Sequence, residues 1–146
     1  MRDWLNVIAT PQYRNRSERI AMSAPTTAPS ADEFPLYDLT VVVEAIEGNC
    51  TCAMAVGDCF HLRGGKLSLP TDKDFCVYAL QATLPLLPAK QRRNHPADWM
   101  ETDARVTCPD PACRLIMRID RTAVRTLKHD DVSPLPWSEV GSVPPS

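Results

Sequence analysis

Six cysteines, at positions 50, 52, 59, 76, 108 and 113, are the residues of this chain best equipped for chemistry. Their pattern is C-x-C-x6-C, then a single Cys, then C-x4-C. Thiolates bind zinc tetrahedrally at about 2.3 Å, or hold an iron–sulfur cluster. Cys50 and Cys52 precede Gly57, and Cys108 and Cys113 bracket Pro109-Asp110-Pro111, so both pairs sit in loops that present sulfur with little strain. Two such loops supply a four-ligand metal set of Cys50, Cys52, Cys108 and Cys113, with Cys76 as a spare. The spacing departs from the C-x2-C knuckle of the commoner zinc sites. Two other readings stand beside this one. An even cysteine count suits a disulfide framework, which a reducing cytosol opposes. Free cysteine is also a small, usually buried apolar side chain, and Cys76, on the expected buried face of a helix, suits that role.

A third chemistry needs fewer residues. Cys59 lies two positions before His61 in an expected strand, which allows a Cys/His nucleophile pair, with Asp58 as a general base. The plainer alternatives are a half-buried strand histidine and a turn aspartate capping backbone N–H groups. No nucleophile elbow, phosphate loop or dinucleotide fingerprint occurs in the sequence.

The elements that must position these side chains follow from hydrophobic period. Leu39, Val41, Val43 and Ala45 alternate with Thr40 and Glu44, which predicts a first strand opening at Leu36. Residues 56–62 read as a turn into a short strand, Gly64-Gly65 as a tight turn, and 66–69 as the returning strand. Thr71 to Asp74 resembles an N-cap with acid after it, and a helix is expected over 75–84, its buried face formed by Cys76, Leu80 and Leu84. Pro85 and Pro88 stop it. Residues 89–103 read as a polar loop, 104–107 as a strand, and Leu115, Met117 and Ile119 as the apolar face of a last strand. The order β-β-β-α-β-β predicts an α+β domain over 36–126: a small, mostly antiparallel sheet or half-barrel with one main helix, its first and last strands plausible neighbours.

Two extended tails flank that domain, 1–35 and 127–146. Residues 23–30 are small, polar and proline-rich, which favours extended chain. Met22 is an alternative start, and Trp4 with Leu5, Val7 and Ile8 a possible docking helix. The C-terminal tail carries Leu135 and Trp137 among prolines, a composition suited to lying across a partner's groove.

The chain has 146 residues, 44% of them hydrophobic and 23% charged, enough for a core without staples. Its net charge of -2 gives no footprint for nucleic acid. The one basic cluster, 90–95, reads as a solvated loop. No stretch has the length of a membrane span or a signal-peptide core, so a cytoplasmic protein is expected.

Several of these pieces together carry a resemblance. They are Tyr37-Asp-Leu-Thr-Val-Val-Val43, Val56-Gly57-Asp58-Cys59-Phe60, Asp74-Phe75-Cys76-Val-Tyr-Ala-Leu80 with Leu84-Pro85, and Cys108-Pro-Asp-Pro-Ala-Cys-Arg-Leu-Ile-Met-Arg-Ile119. The stretch 36–121 resembles the small bacterial cysteine-containing proteins of the TIGR04076 family. The resemblance implies that Cys52 (or Cys50), Cys76 and Cys108 come together in space, and it implies no particular reaction. Three shared thiols are one short of a closed zinc site.

The functional expectation is a non-catalytic accessory or binding subunit beside a larger bacterial enzyme or in a homo-oligomer, with Trp4, Leu135 and Trp137 as contacts. The alternatives are a thiolate protein binding zinc or an iron–sulfur cluster, and a thiol-dependent enzyme using Cys59 and His61.

Overall fold

The computed structural model describes residues 30–103 and 105–140. Most of the expected N-terminal tail, Trp4 included, lies outside the described residues. Alternation of Leu39, Val41 and Val43 with Thr40, Val42 and Glu44 builds β1 (Glu33–Ile46), because one face of a strand with period two can be buried while the other stays wet. It starts three residues earlier than the sequence pattern indicates, since Glu33, Phe34 and Pro35 pair with Lys128, Leu127 and Thr126 of the last strand. β2 (Cys59–Arg63) and β3 (Lys66–Ser68) form a hairpin around Gly64, whose φ of +59° suits glycine. β4 (Arg105–Thr107) and β5 (Leu115–Lys128) complete an antiparallel open sheet in the order β3-β2-β1-β5-β4. The first and last strands are therefore central neighbours, and the fold is a small α+β sheet protein, as expected.

The core sits on one face of this sheet. Leu39, Val41, Val43, Phe60, Leu115, Met117 and Ile119 point into it and are closed over by Ala79, Leu87, Cys108 and Cys113. Ala79 belongs to α1 (Val77–Thr83), which differs from the expected helix in start and in phase. Thr71 does not cap it; Cys76 stands at the N-cap, and Asp72 is held at a φ of +58° in the preceding turn. The buried face is Ala79 and Thr83, while Leu84 is 46% exposed. Two small residues one turn apart let the helix lie close to the sheet, which a Leu84-centred face would prevent. Pro85 follows the helix end, but Pro88 opens rather than stops structure: it lies in the first turn of α2 (Leu87–Lys90), where its missing N–H costs nothing.

The expected polar loop at 89–103 is a clasp containing α2 and α3 (Trp99–Thr102). Lys90 is buried, and its Nζ donates to the carbonyls of Met100 and Asp103. Arg121 donates to the carbonyls of Lys90 and Arg92 at 2.8 and 2.6 Å, pairs with Glu101, and lies 4.5 Å above the Tyr37 ring. The Arg121 guanidinium, against the opposing effect of burial, holds the Glu101 carboxyl below its ordinary 4.5. A carboxyl lowered on folding adds stability that is complete above its unfolded value and is lost as pH falls through its folded value. The stability advantage of the native protein over Glu101→Gln in urea unfolding is therefore expected to be constant above the unfolded carboxyl's value and to be lost as pH falls through the lower folded value. An advantage that grew on acidification would contradict this pairing.

At the C-terminus, α4 (His129–Val132) and α5 (Trp137–Val140) replace the expected extended tail. His129 Nε2 bonds the Leu135 carbonyl at 2.8 Å, and the His129 and Trp137 rings stand 5.3 Å apart. The segment thus folds on itself; Leu135 remains 54% exposed. No described helix is long and apolar enough to cross a membrane.

Candidate functional site: a thiol-lined cavity

Five of the six cysteines face one cavity. Cys50, Cys52, Cys76, Cys108 and Cys113 line a space of about 320 Å3 together with Tyr78, Ala79 and Leu115. Three stretches distant in sequence supply them: the loop after β1, the N-cap of α1, and the loop between β4 and β5.

Backbone geometry brings the first and third stretches together. Beyond the paired residues Ile46 and Leu115 the ladder continues through Glu47 N–H to the Arg114 carbonyl, at 3.2 Å, and Asn49 N–H to the Ala112 carbonyl, at 2.9 Å. The Arg114 guanidinium also donates to the Glu47 carbonyl at 2.8 Å. Between these bonds lies Gly48, where a Cβ would stand 2.0 Å from the Ala112 carbonyl oxygen. Only glycine permits that approach. The β4–β5 loop is shaped by Asp110, whose Oδ1 accepts the Ala112 N–H at 2.9 Å and whose carbonyl accepts the Cys113 N–H at 3.1 Å, an arrangement that aspartate favours. Ala53 and Arg114, each next to a cavity cysteine, hold φ values of +53° and +46°. Such angles cost a residue with a Cβ free energy, so the surrounding contacts must fix both turns.

Cys76 meets the β1 loop from the helix. Its Sγ is 3.1 Å from the Cys52 Sγ, and its backbone N–H donates to the Met54 sulfur at 3.3 Å. Cys52 and Cys76 also border a second cavity of about 310 Å3 with Met54, Asp58, Lys73 and Phe75, so the pair forms the rim between two cavities. Cys52 is exposed and Cys76 half-buried. Burial pushes the Cys76 thiol up. The N–H groups of Ala79 and Tyr78 in the first helical turn, without closing a full capping bond, and the Cys52 thiol more than offset this, and its pKa falls below the ordinary 9.0. Cys52 moves the other way, chiefly because it keeps a proton donated to Cys76. The deeper Cys113 is pushed up to about 11, mainly by burial. One member of the rim pair is thus the better nucleophile, and the other stays a thiol poised beside it.

The remaining candidates lie elsewhere. Cys59 pairs with Val42 and neighbours the buried Phe60, which places it on the sheet face opposite the core. His61 shares that face, and its Nδ1 bonds Thr40 Oγ1 at 3.0 Å. Asp58 Oδ2 accepts the Ala55 N–H at 2.7 Å, a turn-capping role, with Lys73 3.9 Å away. The metal set is gathered on one cavity wall, yet among the described residues no three His, Cys, Asp or Glu side chains are grouped so that they could hold a metal ion. A closed zinc or iron–sulfur site, which needs four donors converging on one point, does not fit this arrangement.

No family model matches the chain, and no curated protein or solved structure matches it.

The sequence reading missed two features here. The apolar spacing puts Cys76 on the helix's buried face because it starts the helix two residues early. Met54 belongs to a C-x-C-x-M run whose alternation places three sulfur side chains on one short loop.

Proposed function

We propose that this protein is a thiol–disulfide exchange module in which Cys76 attacks and Cys52 resolves. The observation that carries the reading is the 3.1 Å contact between their sulfurs at the rim of two cavities. The Cys76 thiolate attacks one sulfur of a substrate disulfide and expels the other as a thiol, giving a mixed disulfide. The Cys52 thiol loses its proton and attacks the Cys76 sulfur, releasing the second substrate thiol and closing Cys52–Cys76. Two electrons pass from the protein to the substrate, and a small thiol of the glutathione class restores the dithiol. The reaction accommodates a disulfide-bearing protein partner, so the accessory-subunit reading is compatible with it.

Reduction of a model aromatic disulfide, followed by release of its coloured thiol, tests the proposal. Cys76→Ser is expected to slow the reaction at least about a hundredfold, because a hydroxyl does not replace a thiolate nucleophile. Cys52→Ser is expected to accumulate the mixed disulfide on Cys76, visible as an added mass. Cys59→Ser on the opposite face is expected to react like the native protein. Equal rates in the native and Cys76→Ser proteins would sink the reading.

A further inference from the structure

The rim pair leaves three cavity thiols unused, and two of them are nearly sealed from solvent: Cys108 is 8% exposed and Cys113 4%. A substrate disulfide in solution does not reach them directly. Cys113 and Cys50 nevertheless line the same cavity, and the ladder bonds at Glu47 and Asn49 set Gly48 opposite Cys113 and Cys50 two residues beyond it on the facing loop. The Cys50 thiol is close enough to influence the Cys113 proton. Cys50 in turn is separated from Cys52 by Thr51 alone, and both border the same cavity.

We infer that Cys50 and Cys113 form a second, internal dithiol that takes over the disulfide from Cys52–Cys76, so that the module holds two redox pairs in series. This inference rests on the exchange reading of the rim pair. The Cys50 thiolate attacks the Cys52 sulfur of the rim disulfide, forming a Cys50–Cys52 bond and releasing Cys76 as a thiolate, which takes up a proton. Cys113 then loses its proton, attacks Cys50 and releases Cys52 as a thiol. One disulfide is consumed and one formed, with no outside oxidant. The rim dithiol is regenerated and accepts a second oxidising equivalent from a disulfide of the oxidised-glutathione class. The inner pair is then a store that the rim pair fills, and the burial of Cys113 shields one of its two sulfurs from small thiols.

The experiment uses the full chain, reduced, then mixed with oxidised glutathione, quenched by alkylation at successive times, and mapped by mass spectrometry of the peptides. Cys52–Cys76 is expected to appear first, followed by Cys50–Cys113 with Cys52 and Cys76 again alkylated. In Cys76→Ser and in Cys52→Ser, formation of Cys50–Cys113 is expected to slow at least about tenfold, because direct oxidation of the half-buried Cys50, a thiol without the helix N–H groups that activate Cys76, is the remaining route. In Cys50→Ser the rim disulfide is expected to form as before and to persist. The inference is overturned if the rim disulfide forms but Cys50 and Cys113 remain thiols, if they oxidise equally fast in both serine variants, or if Cys50 pairs with Cys108. Absence of a Cys52–Cys76 disulfide at every time point would instead overturn the exchange reading itself.

Discussion

Replacing Gly48 by alanine is expected to cost about 3 kcal/mol or more and to part the two cysteine loops. The added carbon would stand 2.0 Å from the Ala112 carbonyl oxygen and 2.8 Å from that of Cys113. Both obstacles are main chain, so no side chain can rotate away; the paired loops must open, and the two hydrogen bonds flanking Gly48 weaken with them. Gly48 has no positive φ, so the penalty is steric, and the usual gain of about 0.4–1 kcal/mol from stiffening the unfolded chain does not offset it. A fall in Tm of about 10 °C or more in a thermal melt is the expected reading. Cys113 is expected to become accessible to alkylation in the native state, which separates loop opening from a general loss of stability. Gly65→Ala supplies the control, since nothing lies within 4 Å of its added carbon; its stability is expected to stay within about 0.5 kcal/mol of native. Equal melting temperatures for the native and Gly48→Ala proteins would show that the loops do not touch as described.

How much of this was legible beforehand depended on the kind of signal. Period-two alternation at Leu39, Val41 and Val43 and at Leu115, Met117 and Ile119 made the two long strands and their buried faces readable, because a strand with one apolar face must turn it inward. Alternation does not say which strands pair; the structure sets Val41 opposite Ile119, and that register gathers the loops that both strands feed. The ends were harder. Glu33, Phe34 and Pro35 look like tail because a two-stranded ribbon at a sheet's edge needs little hydrophobic content, and backbone pairing alone continues it. The helix misled because its buried residues, Ala79 and Thr83, are small, while the larger Val77, Tyr78 and Leu84 stay exposed; the buried face selected size over hydrophobicity. The apolar spacing alone therefore did not show Cys76 at the N-cap beside Cys52; only the family resemblance implied a gathering of Cys52 (or Cys50), Cys76 and Cys108. The clasp over 89–103 left no periodic trace, because it is held by Lys90 and Arg121 donating to carbonyls, and the acceptors are invisible in a sequence.

Phe60→Ala is expected to remove about 3–5 kcal/mol and, with it, the alignment of the rim thiols. Phe60 is 0% exposed and meets the edge of Phe75 with ring centroids 5.0 Å apart and planes at 80°, an arrangement that adds to simple burial. Phe75 immediately precedes Cys76, so the sheet holds the nucleophile through this ring pair. Truncation leaves a cavity beneath Phe75, and the strand cannot collapse to fill it because Val41 and Leu62 flank the site from fixed ladder positions. Urea unfolding measures the first effect. A milder variant isolates the second: Phe75→Leu keeps the volume but loses the edge-to-face contact, and is expected to cost about 1 kcal/mol. If the ring pair positions Cys76, this variant stays folded yet closes the Cys52–Cys76 disulfide severalfold more slowly, and its Cys76 alkylation rate shifts while that of Cys59 does not. Unchanged closure in a stable Phe75→Leu protein would mean that the helix N-terminus and the Met54 contact alone set the sulfur geometry, and that the aromatic pair serves only the core.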